Sequence, residues 1–229
     1  MQRFFDILFS GLALLVLAPL LVPVVIILSL TGEREVLFGQ ERVGRGGQPF
    51  RLLKFATMLK DSPYIGTGTI TTKDDPRVLP FGKFLRKTKI NELPQLLNIL
   101  KGDMSVIGPR PQTRRCFDAF PQESQREIVK VRPGLSGIGS VVFRNEEDMM
   151  DAARDPDAMY DEVIMPYKGA LEEWYVHHRS IVNYFLLIFV TGWVVLFHSS
   201  GLVWRLFPGL PRPPEALMPY MNLSATGAG

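Results

Sequence analysis

Apolar and polar positions divide the chain into a long apolar run, a mixed middle, a shorter apolar run and a Pro-rich end. Ile7 to Leu30 is 24 residues without a charge, with Arg3 and Asp6 before it and Glu33-Arg34-Glu35 after it. As a helix that is long enough to cross a hydrocarbon core of about 30 Å. Pro19 and Pro23 lie inside it; each removes a helix donor and crowds the carbonyl one turn back, which predicts a kink. The second run, Tyr184 to Phe197, has 14 residues and is short for a span. It reads as an interfacial helix, with Trp193 and Trp204 suited to the headgroup level.

Between the runs, Gly44 to Pro49 is a turn signal flanked by Val36-Leu37-Phe38 and Phe50-Arg51-Leu52-Leu53, which predicts a small hairpin. Ser62 to Pro80, rich in Gly, Thr, Asp and Pro, reads as an irregular segment of the length that often carries function. Helical spacing resumes around Val78, Phe84 and Leu85. It is clearest at Leu93, Leu96, Leu97 and Leu100, an i, i+3, i+4, i+7 stripe that Gly102 should stop. Further helices are expected over 122–131, 146–154 and 156–177. The fold class is mainly α with a small β component. The expected organisation is an N-terminal membrane helix (1–32), a catalytic-like domain (33–180), an interfacial helix (181–207) and a flexible Pro-rich tail (208–229).

The net charge of +3 conceals an asymmetry. Glu33 to Asn145 holds 20 Lys+Arg against 11 Asp+Glu, whereas Glu146 to Glu173 holds 2 against 10. So basic a middle suits phosphates, nucleotides or acidic headgroups. No zinc-finger, RRM or helix-turn-helix pattern accompanies it, so nucleic acid is not an expected partner. Cys116 is the single cysteine, which rules out an intramolecular disulfide framework.

Lys83, Arg86, Lys87 and Lys89 place four cations in seven residues, either as a solvated helix face or as a diphosphate site. Asn91 and Glu92 follow. Asn91 can be a helix N-cap and Glu92 an acid complementing the dipole. Equally, Glu92, ionised among cations, can hold Mg²⁺ against a diphosphate, since hard cations take carboxylate and phosphate oxygens. Gly108-Pro109-Arg110-Pro111 is a stiff turn carrying one guanidinium, the side chain that grips phosphate bidentately. Asp103 is a second carboxylate candidate or a plain turn residue. Arg132-Pro133-Gly134 and Arg144 again set an Arg near a stiff turn. His177 and His178 adjoin each other, a spacing that does not suggest a metal site.

The order of the motifs says more than any one of them. The apolar segment is followed by Phe38-Gly39-Gln40-Glu41-Arg42-Val43-Gly44, then Lys54-Phe55-Ala56-Thr57-Met58. Next come the Lys87–Pro111 block, KTKINELPQLLNILKGDMSVIGPRP, and Val131-Arg132-Pro133-Gly134-Leu135-Ser136-Gly137. From about residue 3 to residue 195 this succession resembles the bacterial sugar transferases, the monotopic polyprenyl-phosphate phosphoglycosyl transferases. The resemblance implies a single membrane-embedded domain with a kinked, re-entrant first helix, at the cytoplasmic face of the bacterial inner membrane. It implies transfer of a sugar-1-phosphate from a UDP-sugar to undecaprenyl phosphate, releasing UMP, with Mg²⁺ as cofactor. That reaction initiates exopolysaccharide, capsule, O-antigen or glycoconjugate synthesis. Lys54, Arg86, Lys87, Lys89, Arg110 and Arg132 become the phosphate and nucleotide-sugar ligands, and Glu92 the metal ligand. Membrane lipid, further copies of the chain and downstream glycosyltransferases are the expected partners.

Three positions depart from the family pattern. Asn91 stands where the family has the Asp that attacks the sugar-linked phosphate. Ala56 replaces a frequent Arg, and Asn183 replaces a common Asp. The catalytic candidates are therefore Glu92, Asn91 and Asp103, with Glu92 either replacing the nucleophile or aligning the lipid phosphate for direct attack. A second account is a non-catalytic family member that binds nucleotide sugar or partner enzymes. A third is a basic membrane module that recognises acidic lipid or protein.

Overall fold

The computed structural model describes residues 1–62, 75–144, 146–151, 155–197 and 200–221. Most of the irregular segment expected between Ser62 and Pro80, the last residues of the helix expected over 146–154, and the end of the tail lie outside them. The described chain is mainly helical with two small sheets. It divides into two compact units, one of residues 5–41 and 51–101, the other of residues 1–4, 42–50 and 102–229.

Helix α1 (Gln2–Leu30) is one 29-residue element, long and apolar enough to cross a membrane. It contains both Pro19 and Pro23. Each proline deletes its own N–H bond while the remaining bonds carry the helix past it. Leu12, Leu15, Val16, Leu20, Val22 and Ile26 are exposed.

In the first unit the C-terminal turns of α1 are partly covered. Val24 and Leu28 form a core cluster with Phe55 and Leu85, flanked by Leu21, Val36, Phe81 and Ile90. Strands β1 (Leu37–Val43) and β2 (Pro49–Phe55) form the expected hairpin around the short Arg45–Gly47 turn. Helix α2 (Pro80–Lys87) begins at a proline, which fits a position whose N–H has no intrahelical partner. At Gly82 the helix passes so close to the strand end that a Cβ would stand 2.2 Å from the Thr57 carbonyl oxygen.

The next helix differs from its expected form. Ile90–Glu92 is a 3₁₀ turn, and α3 (Gln95–Lys101) starts only after Pro94. Asn91 therefore lies inside the turn and is not an N-cap; the residue preceding the turn is Lys89, in the left-handed conformation with φ of 58°. Pro94 supplies the reason, because it has no N–H to continue the hydrogen-bond ladder, although Leu93 itself keeps helical angles. Gly102, with φ of 99°, ends α3 as expected. The buried face of α3 is also shifted from the leucine stripe: Gln95, Leu96, Asn98 and Ile99 are buried.

In the second unit, β3 (Ser105–Ile107) and β4 (Gly134–Ser136) pair in parallel, Ser105 opposite Gly134 and Ile107 opposite Ser136. The crossover between them carries α4 (Arg114–Asp118) and α5 (Gln122–Ile128). Phe117, Phe120, Ile128 and Met165 form a core cluster there. Helices α6 (Ile138–Val142), α7 (Glu146–Asp151) and α8 (Pro156–Ala158) lead through a π-helical stretch, Met159–Ile164, into α9 (Met165–His177).

Helix α10 (Ile181–Leu196) covers the second apolar run. Ser180 caps it by accepting from the Asn183 N–H at 3.0 Å, and Asn183 Nδ2 donates to the His178 carbonyl at 2.7 Å. Tyr184, Leu187, Val190 and Val194 are buried, whereas Val182, Phe185, Phe189, Trp193 and Leu196 are exposed, so the helix is apolar on both faces. After α11 (Leu202–Leu206) the Pro-rich end is packed, not loose, as far as Met221. Leu210, Leu217 and Met221 are buried, and Tyr167 Oη donates to the Pro211 carbonyl at 2.8 Å. Prolines there fix an extended path with little entropy left to lose, which makes docking inexpensive.

Candidate active site

Six of the residues singled out from sequence belong to the first unit: Lys54, Arg86, Lys87, Lys89, Asn91 and Glu92. Their frame is set by Asn98. Its side-chain amide accepts from the Leu53 N–H at 2.9 Å and donates to the Arg51 carbonyl at 2.8 Å. An amide side chain carries one acceptor and two donors, so it can pair with a strand edge as another strand would. That satisfies β2 and explains a polar side chain buried at 1% exposure in α3.

With β2 fixed against α3, the next residue along the strand, Lys54, reaches the 3₁₀ turn. Lys54 Nζ lies 3.4 Å from Glu92 Oε1, with both side chains 22% exposed. Asn91 is buried, and its Oδ1 has no hydrogen-bond partner. Buried polar oxygens normally have a partner, so this one is an exception in need of a reason. Arg86 and Lys87 occupy the last turn of α2, where cations complement the helix dipole. Lys87 and Lys89 are exposed and Arg86 is half-buried.

Asp103, Arg110 and Arg132 belong to the second unit. Arg110 sits in the turn that leaves the carboxyl end of β3, and four backbone groups of that turn are held. Gly108 N donates to Ser136 O at 2.9 Å, and Gly134 N donates to Pro109 O at 2.8 Å. Arg42 Nη1 donates to Pro111 O at 3.3 Å, and Arg110 N donates to Glu172 Oε1 at 3.3 Å. The close approach needs glycine: a Cβ on Gly134 would stand 2.1 Å from Gly108 N. Arg110 itself is exposed on this rigid base. Arg132 Nε donates to Gly102 O at 2.7 Å, which ties the chain before β4 to the start of the stretch that leads into β3. Asp103, half-buried, follows Gly102 directly.

Sequence reasoning passed over three of these residues. Arg42 lies within the Phe38–Gly44 motif, where nothing local sets it apart. Asn98 was detectable as an amide interrupting an apolar helix. Glu172 is one of ten acids in its stretch of chain, and nothing local marks it. It is 1% exposed, and burial pushes its carboxyl up to about 7 against the opposing pull of Arg110 and Lys168.

Of the two histidines, His177 Nε2 lies 3.0 Å from Glu127 Oε2, and the His178 ring stacks on Trp174 at 4.4 Å. Among the described residues no group of three His, Cys, Asp or Glu could hold a metal ion. The donor set that suits a hard cation is the Glu92 carboxylate with the unpartnered Asn91 amide oxygen.

The family model for bacterial sugar transferases matches residues 1–198. The chain belongs to the bacterial sugar transferase family. A UDP-N-acetylgalactosamine-undecaprenyl-phosphate N-acetylgalactosaminephosphotransferase of Aeromonas hydrophila is 40% identical to this chain over 152 residues, covering 66% of this chain and 36% of that protein. The exopolysaccharide production protein ExoY of Sinorhizobium fredii is 36% identical over 159 residues, covering 63% of this chain and 70% of its own. An undecaprenyl-phosphate glucose phosphotransferase of Komagataeibacter xylinus is 39% identical over 145 residues, covering 61% of this chain and 27% of its own. The chain thus spans about a third of the length of some of these relatives and most of another.

Proposed function

We propose that the protein transfers a sugar-1-phosphate from a UDP-sugar to undecaprenyl phosphate and releases UMP, as the first step in building a bacterial polysaccharide or glycoconjugate. The observation that carries this reading is the Lys54–Glu92 pair beside Asn91, a reachable carboxylate held at a cationic turn. The sugar-linked phosphorus accepts an oxygen nucleophile, its bond to the bridging diphosphate oxygen breaks, and UMP leaves carrying that bridging oxygen. Glu92 is the carboxylate proposed for this attack; a phosphate oxygen of the lipid then attacks the same phosphorus, the bond from Glu92 to phosphorus breaks, and the carboxylate is regenerated. Lys54 orients it and offsets charge as the bond forms. Arg86, Lys87 and Lys89 are the cations proposed in the first unit for the diphosphate; in the second unit Arg110 and Arg132 are proposed as phosphate ligands, with Asp103 a second carboxylate candidate. Bound Mg²⁺ would neutralise diphosphate charge, with Glu92 and Asn91 as its protein oxygens.

The membrane arrangement follows from α1. Gln2 Nε2 donates to Ser105 Oγ at 2.9 Å and to Ile107 O at 3.1 Å, so the start of α1 is attached to polypeptide that follows its end. Between residues 31 and 105 the sequence has no apolar run of spanning length. A helix of about 43 Å crossing the bilayer would place Gln2 on the far side from Ser105. These contacts support a re-entrant α1 with both ends on one face, and the UDP-sugar substrate makes that face the cytoplasmic side of the inner membrane. The exposed apolar side of α10 suits the same interface.

The test is UMP release by detergent-purified protein across a panel of UDP-sugars with Mg²⁺, with and without undecaprenyl phosphate. A lipid-independent burst of one UMP per enzyme marks a phosphosugar on the protein, and strictly lipid-dependent release marks direct attack. Tight nucleotide-sugar binding with no release from any sugar would overturn the reading in favour of a non-catalytic partner.

A further inference from the structure

Glu172 has no place in the reaction as described, yet it lies directly beneath the Arg110 turn. Its Oε1 accepts from the Arg110 N–H at 3.3 Å, while its Oε2 is buried without a hydrogen-bond partner. Helix α6 leaves room for it: a Cβ on Gly139 would stand 2.4 Å from Oε1. A carboxyl enclosed this tightly beside a surface Arg is expensive to keep charged and has no second donor to stabilise it.

We propose that Glu172 is a positioning residue that couples phosphate binding at Arg110 to uptake of a proton. The inference rests on the reading of Arg110 as a phosphate ligand. In its charged form Glu172 draws on the Arg110 cation and repels an arriving phosphoryl group. In its neutral form it leaves that cation to the ligand. A phosphate seated on Arg110 favours the neutral form, so a proton enters with the ligand.

The surrounding charges leave Glu172 as the group that responds. Lys168, one turn earlier on α9, is 3% exposed, and its ammonium is held by both oxygens of Glu146 at 2.9 and 2.7 Å. From α5, Glu127 pairs with His177 and Lys130, while Ser124 bonds Glu173. The π-helical stretch turns Asp161 and Glu162 outward and engages Tyr160 with Cys116. Helix α6 presents Gly139. Burial raises the Glu172 carboxyl to about 7, so both of its forms are populated near neutrality.

The experiment uses the full chain in detergent and UDP-glucose and UDP-N-acetylgalactosamine as probes, whose diphosphates have no group titrating near neutrality. Binding calorimetry at pH 7.5 in two buffers of different ionisation enthalpy should report proton uptake. Affinity should weaken about five-fold or more from pH 6.5 to 8.5, the lower end of typical coupling between sites. Glu172→Gln should bind at all three pH values and show neither effect, with kcat at pH 6.5 preserved. Absence of proton uptake by the wild-type protein overturns the proposal without recourse to any variant, as does equal pH dependence in wild type and Glu172→Gln. Arg110→Ala that binds as tightly as wild type would instead overturn the assignment of Arg110, a separate failure.

Discussion

Gln2 and Ser105 are joined by a 2.9 Å hydrogen bond across 103 residues of chain, which fastens the first turn of the apolar helix to a β-strand. Their contact makes topology testable. In a Cys116→Ser background, Phe4→Cys and Thr31→Cys place thiols at exposed positions near the two ends of α1. An impermeant maleimide should label both in inside-out vesicles and neither in intact cells. Labelling of the two from opposite faces would sink the re-entrant arrangement.

Asn98→Leu should cost roughly 2–3 kcal/mol, because the Leu53 N–H and the Arg51 carbonyl lose their partner in a buried setting. Thermal unfolding checks this. Asn98→Asp keeps the acceptor and loses the donor, so it should fall between the two. A wild-type melting temperature for Asn98→Leu would show that the bridge to β2 contributes nothing.

Glu92→Gln should lower UMP release by about 10²-fold or more, the scale of a lost catalytic group. Lys54→Met should lower it less, since it removes the partner and leaves the carboxylate. Asn91→Asp should raise release, because it puts a carboxylate where a buried amide oxygen now lacks a partner. Faster turnover in Glu92→Gln would exclude Glu92 from the chemistry.

The Glu172 carboxyl also predicts a stability profile. Its folded value, about 7, exceeds the ordinary carboxylate value of 4.5, so the folded state binds the proton more tightly than the unfolded state. The contribution is complete below about 4.5 and is lost as pH rises to about 7, a loss of roughly 3 kcal/mol. Glu172→Gln should therefore gain on wild type through that window and level off above it. Melting curves that stay parallel from pH 4.5 to 8 would contradict the burial argument.

Deleting residues 208–229 should destabilise the protein by roughly 3–5 kcal/mol, since it uncovers the sites of Leu210, Leu217 and Met221 and removes the Tyr167 bond. Protease resistance and melting temperature equal to those of the full chain would show the packed end to be dispensable.

Local signals predicted some features well and others poorly, for physical reasons. The hairpin, the Gly102 stop and α10 follow from turn residues and apolar runs, which act within a few residues of themselves. The 3₁₀ turn at Asn91 did not, because a helical apolar period hid the effect of Pro94. The β3–β4 pair was missed since three-residue strands have no readable alternation and their partners are set by tertiary contact. The same holds for the site. Glu92 and Arg110 are visible through their motifs, whereas Asn98 and Glu172 acquire meaning only from Leu53, Arg51 and Arg110, which lie far along the chain.

The exposed flank of α1, Leu12 through Ile26, has one further consequence. In the proposed re-entrant arrangement, α1 is held at both ends on one face and displaces lipid from a single leaflet. Insertion then widens that leaflet alone, so lateral pressure and curvature weigh directly on how firmly the protein seats. The composition of the membrane becomes a control on where the protein gathers, with no headgroup recognised.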